Sequence, residues 1–107
     1  MAKLKIDYHP MARLEAMDAF DWYRLHNLLA AERFQRELEK AQQAIQDLPD
    51  AWPMYLAGTR HYLIIKRFPY AVVYRLLESR IEIVAVAHAR RKPGYWVDRL
   101  EDSEPKS

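Results

Sequence analysis

"RHYLIIKRFPYAVVYRLLESRIEIVAVAH", residues 60–88, decides the fold. It holds three apolar runs, 60–67, 70–77 and 80–88, rich in Val, Ile, Leu and Tyr. Such side chains suit pleated, half-buried positions. The joints between runs are two residues each, Phe68-Pro69 and Glu78-Ser79. Joints that short connect neighbouring strands as hairpins, so the segment predicts a three-strand antiparallel meander.

Upstream, "KLKIDYH" (3–9) alternates Leu4, Ile6 and Tyr8 with Lys3, Lys5 and Asp7, the period of a half-buried strand. Pro10 suits the first turn of a helix. From Met11 to His26, Met11, Leu14, Met17 or Asp18, and Leu25 recur roughly at helical spacing, widened by Phe20, Trp22 and Tyr23. A second helix is predicted over Leu28–Leu48. There Phe34, Leu38, Ala41, Ile45 and Leu48 form one apolar stripe, closed by Pro49. Adjacent helices joined this closely predict an antiparallel hairpin. "PDAWPMYLAG" (49–58) reads as an ordered loop in which Trp52, Met54 and Tyr55 seek burial. Residues 94–100 read as a short helix or arm, and 101–107 as a polar, frayed tail. The expectation is a single α+β domain over 1–100 in the order β-α-α-β-β-β. Its helical hairpin covers one face of an antiparallel sheet, and the other face is left for solvent or a ligand.

At 107 residues, half of them hydrophobic, the chain can bury one core without disulfides. It has no cysteine, which removes disulfides and thiolate metal sites and fits a reducing cytoplasm. The lysines at 3 and 5 have no apolar run behind them, so no secretory signal is expected there. No stretch is long and apolar enough to span a membrane. No GxGxxG or P-loop pattern occurs, and two glycines cannot build a phosphate-cradling loop, so no cofactor is expected. His9, His26, His61 and His88 are scattered, so no metal is expected either. No serine sits in a nucleophile elbow. Charge is uneven: residues 58–100 hold nine Lys and Arg against three Asp and Glu, whereas 1–57 hold seven against nine. Basic charge placed that way suits an anionic partner.

The basic residues concentrate after the last strand. His88, Arg90, Arg91, Lys92, Tyr95, Trp96 and Arg99 follow closely, with Arg60, Lys66 and Arg67 on the first meander strand. Guanidinium forks match phosphate oxygens, and aromatic rings offer stacking surfaces. Two readings stand open. The set can bind a macromolecular target. It can also be drawn as a metal-independent ribonuclease: His88 takes the 2′-hydroxyl proton, Arg90 or Arg91 stabilises the phosphorane, and Tyr95 protonates the leaving oxygen. A structural alternative has Tyr95 and Trp96 tucking the C-terminus onto the sheet.

"FPYAVVY" (68–74), "IVAVAHARRKPGYWVDR" (83–99) and "DAFDWY" (18–23) resemble the RelE/ParE superfamily of bacterial type II toxins, over about residues 3–100. The most specific block is H-x-R-R-x-P-x-Y-W, His88 to Trp96. The resemblance implies a toxin encoded beside an antitoxin that wraps and neutralises it. One branch cleaves messenger RNA on the ribosome, and the other binds DNA gyrase. The nuclease branch carries basic residues at places that are Tyr62, Ile64 and Ala71 here, so the resemblance points to the ParE-like, plasmid-stabilisation side. It implies a growth-inhibiting, non-catalytic binder, and the cations and aromatics read above, Arg60, Lys66, Arg67, His88, Arg90, Arg91, Tyr95, Trp96 and Arg99, are the target-binding residues expected of it. The ribosome-dependent nuclease and an inactive, antitoxin-binding member are the alternatives. A homodimer through a sheet edge or the hairpin is left open.

Overall fold

The computed structural model describes residues 3–64 and 68–102. In chain order it contains β1 (Lys5–Tyr8), α1 (Pro10–His26), α2 (Leu28–Asp47), β2 (Arg60–Ile64), β3 (Tyr70–Leu76), β4 (Arg80–His88) and α3 (Arg99–Asp102). This is the expected β-α-α-β-β-β order with a short C-terminal helix.

The meander is antiparallel, β2 to β3 and β3 to β4. The sheet as a whole is mixed: β1 joins on the far side of β4 and runs parallel to it, giving the order β1-β4-β3-β2. The helices explain why. α2 returns the chain to the end of the sheet where β1 starts, and there Gln46 Nε2 donates to the Leu4 carbonyl at 2.9 Å and Lys3 pairs with Asp47. β2 leaves from that same end. A three-strand meander makes its third strand parallel to its first, so β4 lies parallel to β1.

Each helix of the hairpin is started by a side chain. His9 Nδ1 accepts the Met11 N–H at 3.0 Å, in the role usually taken by Ser or Asp, and Pro10 has no N–H to satisfy. Asn27 alone joins the two helices. Its N–H donates to the Tyr23 carbonyl and its Oδ1 accepts from Ala30 N–H.

Phe34, Leu38, Ala41 and Ile45 of α2 are buried, as their spacing predicts, while Leu48 stays exposed at the helix end. They pack with Val72, Tyr74, Ile81, Ile83 and Val86 of the sheet. α1 is rotated away from the expected orientation. Its core side is Ala12, Ala16, Ala19, Phe20 and Tyr23, and Met11, Leu14, Met17 and Leu25 lie outside. Small alanines suit a helix lying close to its neighbours, and a reading weighted by side-chain bulk passes over them. In the 49–58 loop, Trp52 donates Nε1–H to the Ala44 carbonyl and packs edge-on against Tyr62. Tyr55 stacks on His61, 4.4 Å between centroids. Met54, expected to be buried, bridges its backbone to Arg60 and leaves its side chain exposed.

The second sheet face is covered by the chain's own C-terminal arm. Trp96 is fully buried against Val73, Val84 and Ala85, with Tyr55, Tyr95 and Leu100 around it. A bulge prepares this surface. Tyr74 opposes Ile83 and Val73 opposes Ala85, so Val84 is the extra residue and both Val84 and Ala85 join the arm's cluster.

One carboxylate fastens the arm. β1 ends after Tyr8, and His9 N–H still reaches the Ile83 carbonyl at 2.8 Å. Beyond that point no strand among the described residues flanks β4 on this edge. Glu15 of α1 accepts the Val86 N–H at 3.0 Å, and Arg99 donates to the Val84 carbonyl at 3.0 Å. The two side chains pair bidentately, at 2.9 and 2.8 Å, and Tyr95 adds its hydroxyl to Glu15 at 2.6 Å. The ion pair supplies the donor and the acceptor that a neighbouring strand would have supplied.

Arg99→Ala strips Glu15 of its countercharge in a largely buried setting and is expected to cost about 3–5 kcal/mol. Tyr95→Phe removes one charge-assisted hydrogen bond and is expected to cost about 1.5–3 kcal/mol. Urea unfolding of the two variants checks both the sizes and their order.

Tyr74 gives a pH test. Its hydroxyl donates to the Pro49 carbonyl at 2.6 Å, its ring is fully buried, and burial pushes its pKa up to about 12. The folded state therefore keeps this proton after the unfolded chain has lost it. The resulting stability is complete below pH 10 and is lost between about pH 10 and 12. Tyr74→Phe is expected to flatten that alkaline fall by about 1.4 kcal/mol per pH unit. Urea midpoints across this range measure it.

Candidate functional site

β4 is the longest strand and is flanked by β1 and β3. Its last residue, His88, opens a tight turn. The His88 carbonyl accepts the Arg91 N–H and its Nδ1 accepts the Arg90 N–H, both at 3.0 Å. Ala89 N–H donates to the Pro69 carbonyl at 2.7 Å, tying the turn to the start of β3. Gly94 sits at φ +83°, which carries the chain from the cationic turn onto the sheet, and Leu56 and Val97 close around it. Arg90, Arg91 and Lys92 are therefore held on a fixed turn, and all three are exposed.

Two clefts flank this turn. One, of about 200 Å³, opens on the second sheet face between Tyr55, His61, Ala71, Lys92 and Trp96. The other, of about 250 Å³, lies toward α1 beside Asp18 and Trp22. Tyr70, His88, Arg91 and Tyr95 line both. His88 meets Tyr70 edge-on at 5.0 Å, and the Arg91 guanidinium lies 3.8 Å from the Tyr95 ring centroid.

The nine expected target-binding residues do not form one patch. His88, Arg90, Arg91 and Tyr95 come together. Trp96 is core, and Arg99 is committed to Glu15 and Val84. Arg60 sits near the opposite end of the meander, since its partner Tyr74 lies four residues from the Tyr70 that faces His88. Its guanidinium donates to the carbonyls of Asp50 and Trp52, at 2.9 and 2.7 Å. Lys66 and Arg67 lie outside the described residues.

Tyr95 is poorly placed as a general acid. Its hydroxyl donates to the Glu15 carboxylate. Its pKa is raised far above the ordinary phenol range, first by burial and then by the Glu15 carboxylate, against the smaller lowering by Arg99 and Arg91. The Tyr95 step of the ribonuclease drawing has no free proton to use. Among the described residues, no group of three metal-ligating side chains occurs, and no helix is long and apolar enough to cross a membrane.

Glu15, Trp22 and Tyr70 complete this region and were not expected as site residues from the sequence. Glu15 did leave a trace. It shares a helix face with Ala12, Ala16 and Ala19, and a carboxylate on a buried face requires a cation. Recognising that face as the buried one was the missing step.

Comparison with known proteins agrees with this architecture. The sequence profile of the family described as "ParE toxin of type II toxin-antitoxin system, parDE" matches residues 6–93. A solved structure, described as the chromosomal ParDE TA system from P. aeruginosa, superposes with a TM-score of 0.69 at 14% identity. The match covers 82% of this chain and 98% of that one, and at that identity it speaks for the fold. No curated protein matches the chain. The helical hairpin on a four-strand sheet and the family match over most of the length lead to one conclusion: this chain belongs to the ParE family, toxins of type II toxin–antitoxin systems.

Proposed function

We propose that this ParE-family chain arrests growth in the cytoplasm by binding a macromolecular target, DNA gyrase, and that a cognate antitoxin neutralises it. The observation that carries the reading is the division of the cations. Arg99, Arg75 and Arg60 are spent on internal partners, whereas Arg90, Arg91 and Lys92 stand exposed on the turn after β4. A fixed cluster of like charge next to aromatic walls favours anionic or mixed protein surfaces and speeds encounter with them. His88, Arg90, Arg91 and Tyr95 form the proposed contact surface. The engagement of the Tyr95 proton favours binding over cleavage. Occupation of this end by an acidic segment of the antitoxin would block the same cations.

The test uses the purified chain, free of antitoxin, in a gyrase supercoiling assay. Supercoiling is expected to stop at stoichiometric excess, and Arg90→Ala with Arg91→Ala is expected to raise the inhibitory concentration about tenfold or more. These positions are exposed, so the double variant should keep its unfolding midpoint. Undiminished supercoiling at high excess refutes the gyrase target, and new codon-linked messenger RNA ends after induction transfer the reading to ribonuclease.

A further inference from the structure

The arm seats Trp96 on Val73, Val84 and Ala85 and leaves the far end of that sheet face open. There Leu63, Ala71 and Ala87 lie in one row across β2, β3 and β4, because Leu63 opposes Ala71 and Ala71 opposes Ala87. Two alanines make the row a depression, and Leu63 at its edge is 49% exposed. The row is the floor of the cleft of about 200 Å³ beside the cationic turn. Rings form its walls. Tyr55 stacks on His61 at 4.4 Å and stands 6.1 Å from Trp96, between centroids. Arg91 and Lys92 of the turn are exposed and line the same cleft. The two clefts beside the turn differ in charge. The one toward α1 carries Glu15 and Asp18, whereas no Asp or Glu among the described residues lines the one over this row.

We infer that this cleft receives one aromatic side chain of the target protein, presented on a loop with an Asp or Glu beside it whose carboxylate meets Arg91 and Lys92. The size selects a single ring. An apolar cavity of about 150 Å³ takes a benzene molecule, and drug-sized ligands call for about 300 Å³ or more. Aromatic anchors that fill a pocket of this kind carry much of the affinity of protein interfaces. The charge selects the neighbour of the ring, since a guanidinium fork and an ammonium at the rim, with no acid in the lining, match a carboxylate. The chemistry of the floor disfavours a nucleotide base. Leu63, Ala71 and Ala87 offer no polar side chain, Tyr95 donates its hydroxyl to Glu15, and His88 Nδ1 accepts the Arg90 N–H. The polar edge of a base would lose water there without replacement, and an apolar ring would not. A second copy of the chain offers Trp22 beside Asp21. Trp22 is stacked on His26 at 4.0 Å and Asp21 is paired with Arg24 at 3.6 Å, so both are engaged on their own helix. The inference deepens the reading of this turn as a target contact and rests on it for the partner being a protein.

The probe is the blocked tripeptide Asp-Phe-Asp, titrated into the full chain carrying isotope-labelled alanine methyl groups. The Ala71 and Ala87 methyl resonances are expected to shift and saturate. Asp-Ala-Asp and Lys-Phe-Lys are each expected to bind about tenfold more weakly, the first for want of the ring and the second for want of the charge match. Arg91→Glu with Lys92→Glu is expected to reverse the order of the two Phe peptides, and both positions are exposed, so the unfolding midpoint should hold. Ala87→Leu sends its added carbons into the cleft and is expected to abolish the Ala71 shift. Leu63→Glu, at an exposed position of the same floor, is expected to weaken Asp-Phe-Asp about tenfold and keeps the test open should bulk at position 87 disturb the sheet. Equal affinity for the three peptides, no shift at these methyl groups, or an unchanged order in the Arg91 and Lys92 variant overturns the proposal. So does adenosine monophosphate shifting the same methyl groups at lower concentration than Asp-Phe-Asp, which assigns the cleft to nucleic acid. A dimer in light scattering that Trp22→Ala dissociates, with the Ala71 and Ala87 shifts lost on dissociation, assigns it to a second copy and likewise overturns it. Peptide binding beside undiminished supercoiling refutes gyrase and keeps the pocket, whereas arrested supercoiling without peptide binding refutes the pocket and keeps gyrase.

Discussion

The length mismatch between β1 and β4 sets the terms for the rest of this molecule. β1 pairs only with Arg80 to Ile83, so the second half of β4 has lost its neighbour on that side. A buried backbone group left without a partner costs about as much as a lost hydrogen bond, so the protein must find substitutes. It draws them from two distant places in the chain. Glu15 comes from α1 and Arg99 from the C-terminal helix, and each takes one backbone group of β4 before they pair with each other. Replacing either one alone would strand the other as well as a peptide group, which couples the orientation of α1 to the docking of the arm.

That coupling explains how a 107-residue chain covers both faces of its sheet with so few elements. The helical hairpin covers one face. The other would be wet without the arm, and the arm has only the single turn of α3 to stabilise itself. A one-turn helix does not persist alone in water. It is held by Trp96 in the sheet and by Arg99 on the carboxylate. The arm is thus a structural layer, and it removes Trp96 and Arg99 from the surface available to a partner. The cations before Gly94 remain outside because the chain has not yet reached the sheet.

The meander, the helix limits and the α2 core were legible in the sequence because each depends on local periodicity. Tyr62, Val72, Tyr74, Ile81 and Ile83 fall where alternation puts them. What escaped was information that only the tertiary arrangement contains. The side of α1 that faces inward is set by how closely it approaches β4, and alanines mark that approach better than the methionines and leucines that draw the eye. The parallel placement of β1 depends on where α2 ends. Arg90 and Arg99 have the same side chain and stand nine residues apart, and nothing local tells one that it will meet Glu15 and the other that it will stay in solvent.

The bulge at Val84 connects these levels. Without the extra residue, strict alternation from Ile81 and Ile83 would turn Ala85 and Ala87 toward the helices, and Val86 and His88 toward the arm. With it, Val86 joins the core beneath α1, and His88 comes to the side of Tyr70, near Trp22. The same residue lets Val84 and Ala85 both face Trp96, giving the arm a wider apolar seat. One inserted position therefore fits the sheet to its second layer and turns the strand's terminal histidine to face α1. The exposed arginines follow directly from that histidine, so their direction is fixed by packing deep in the sheet.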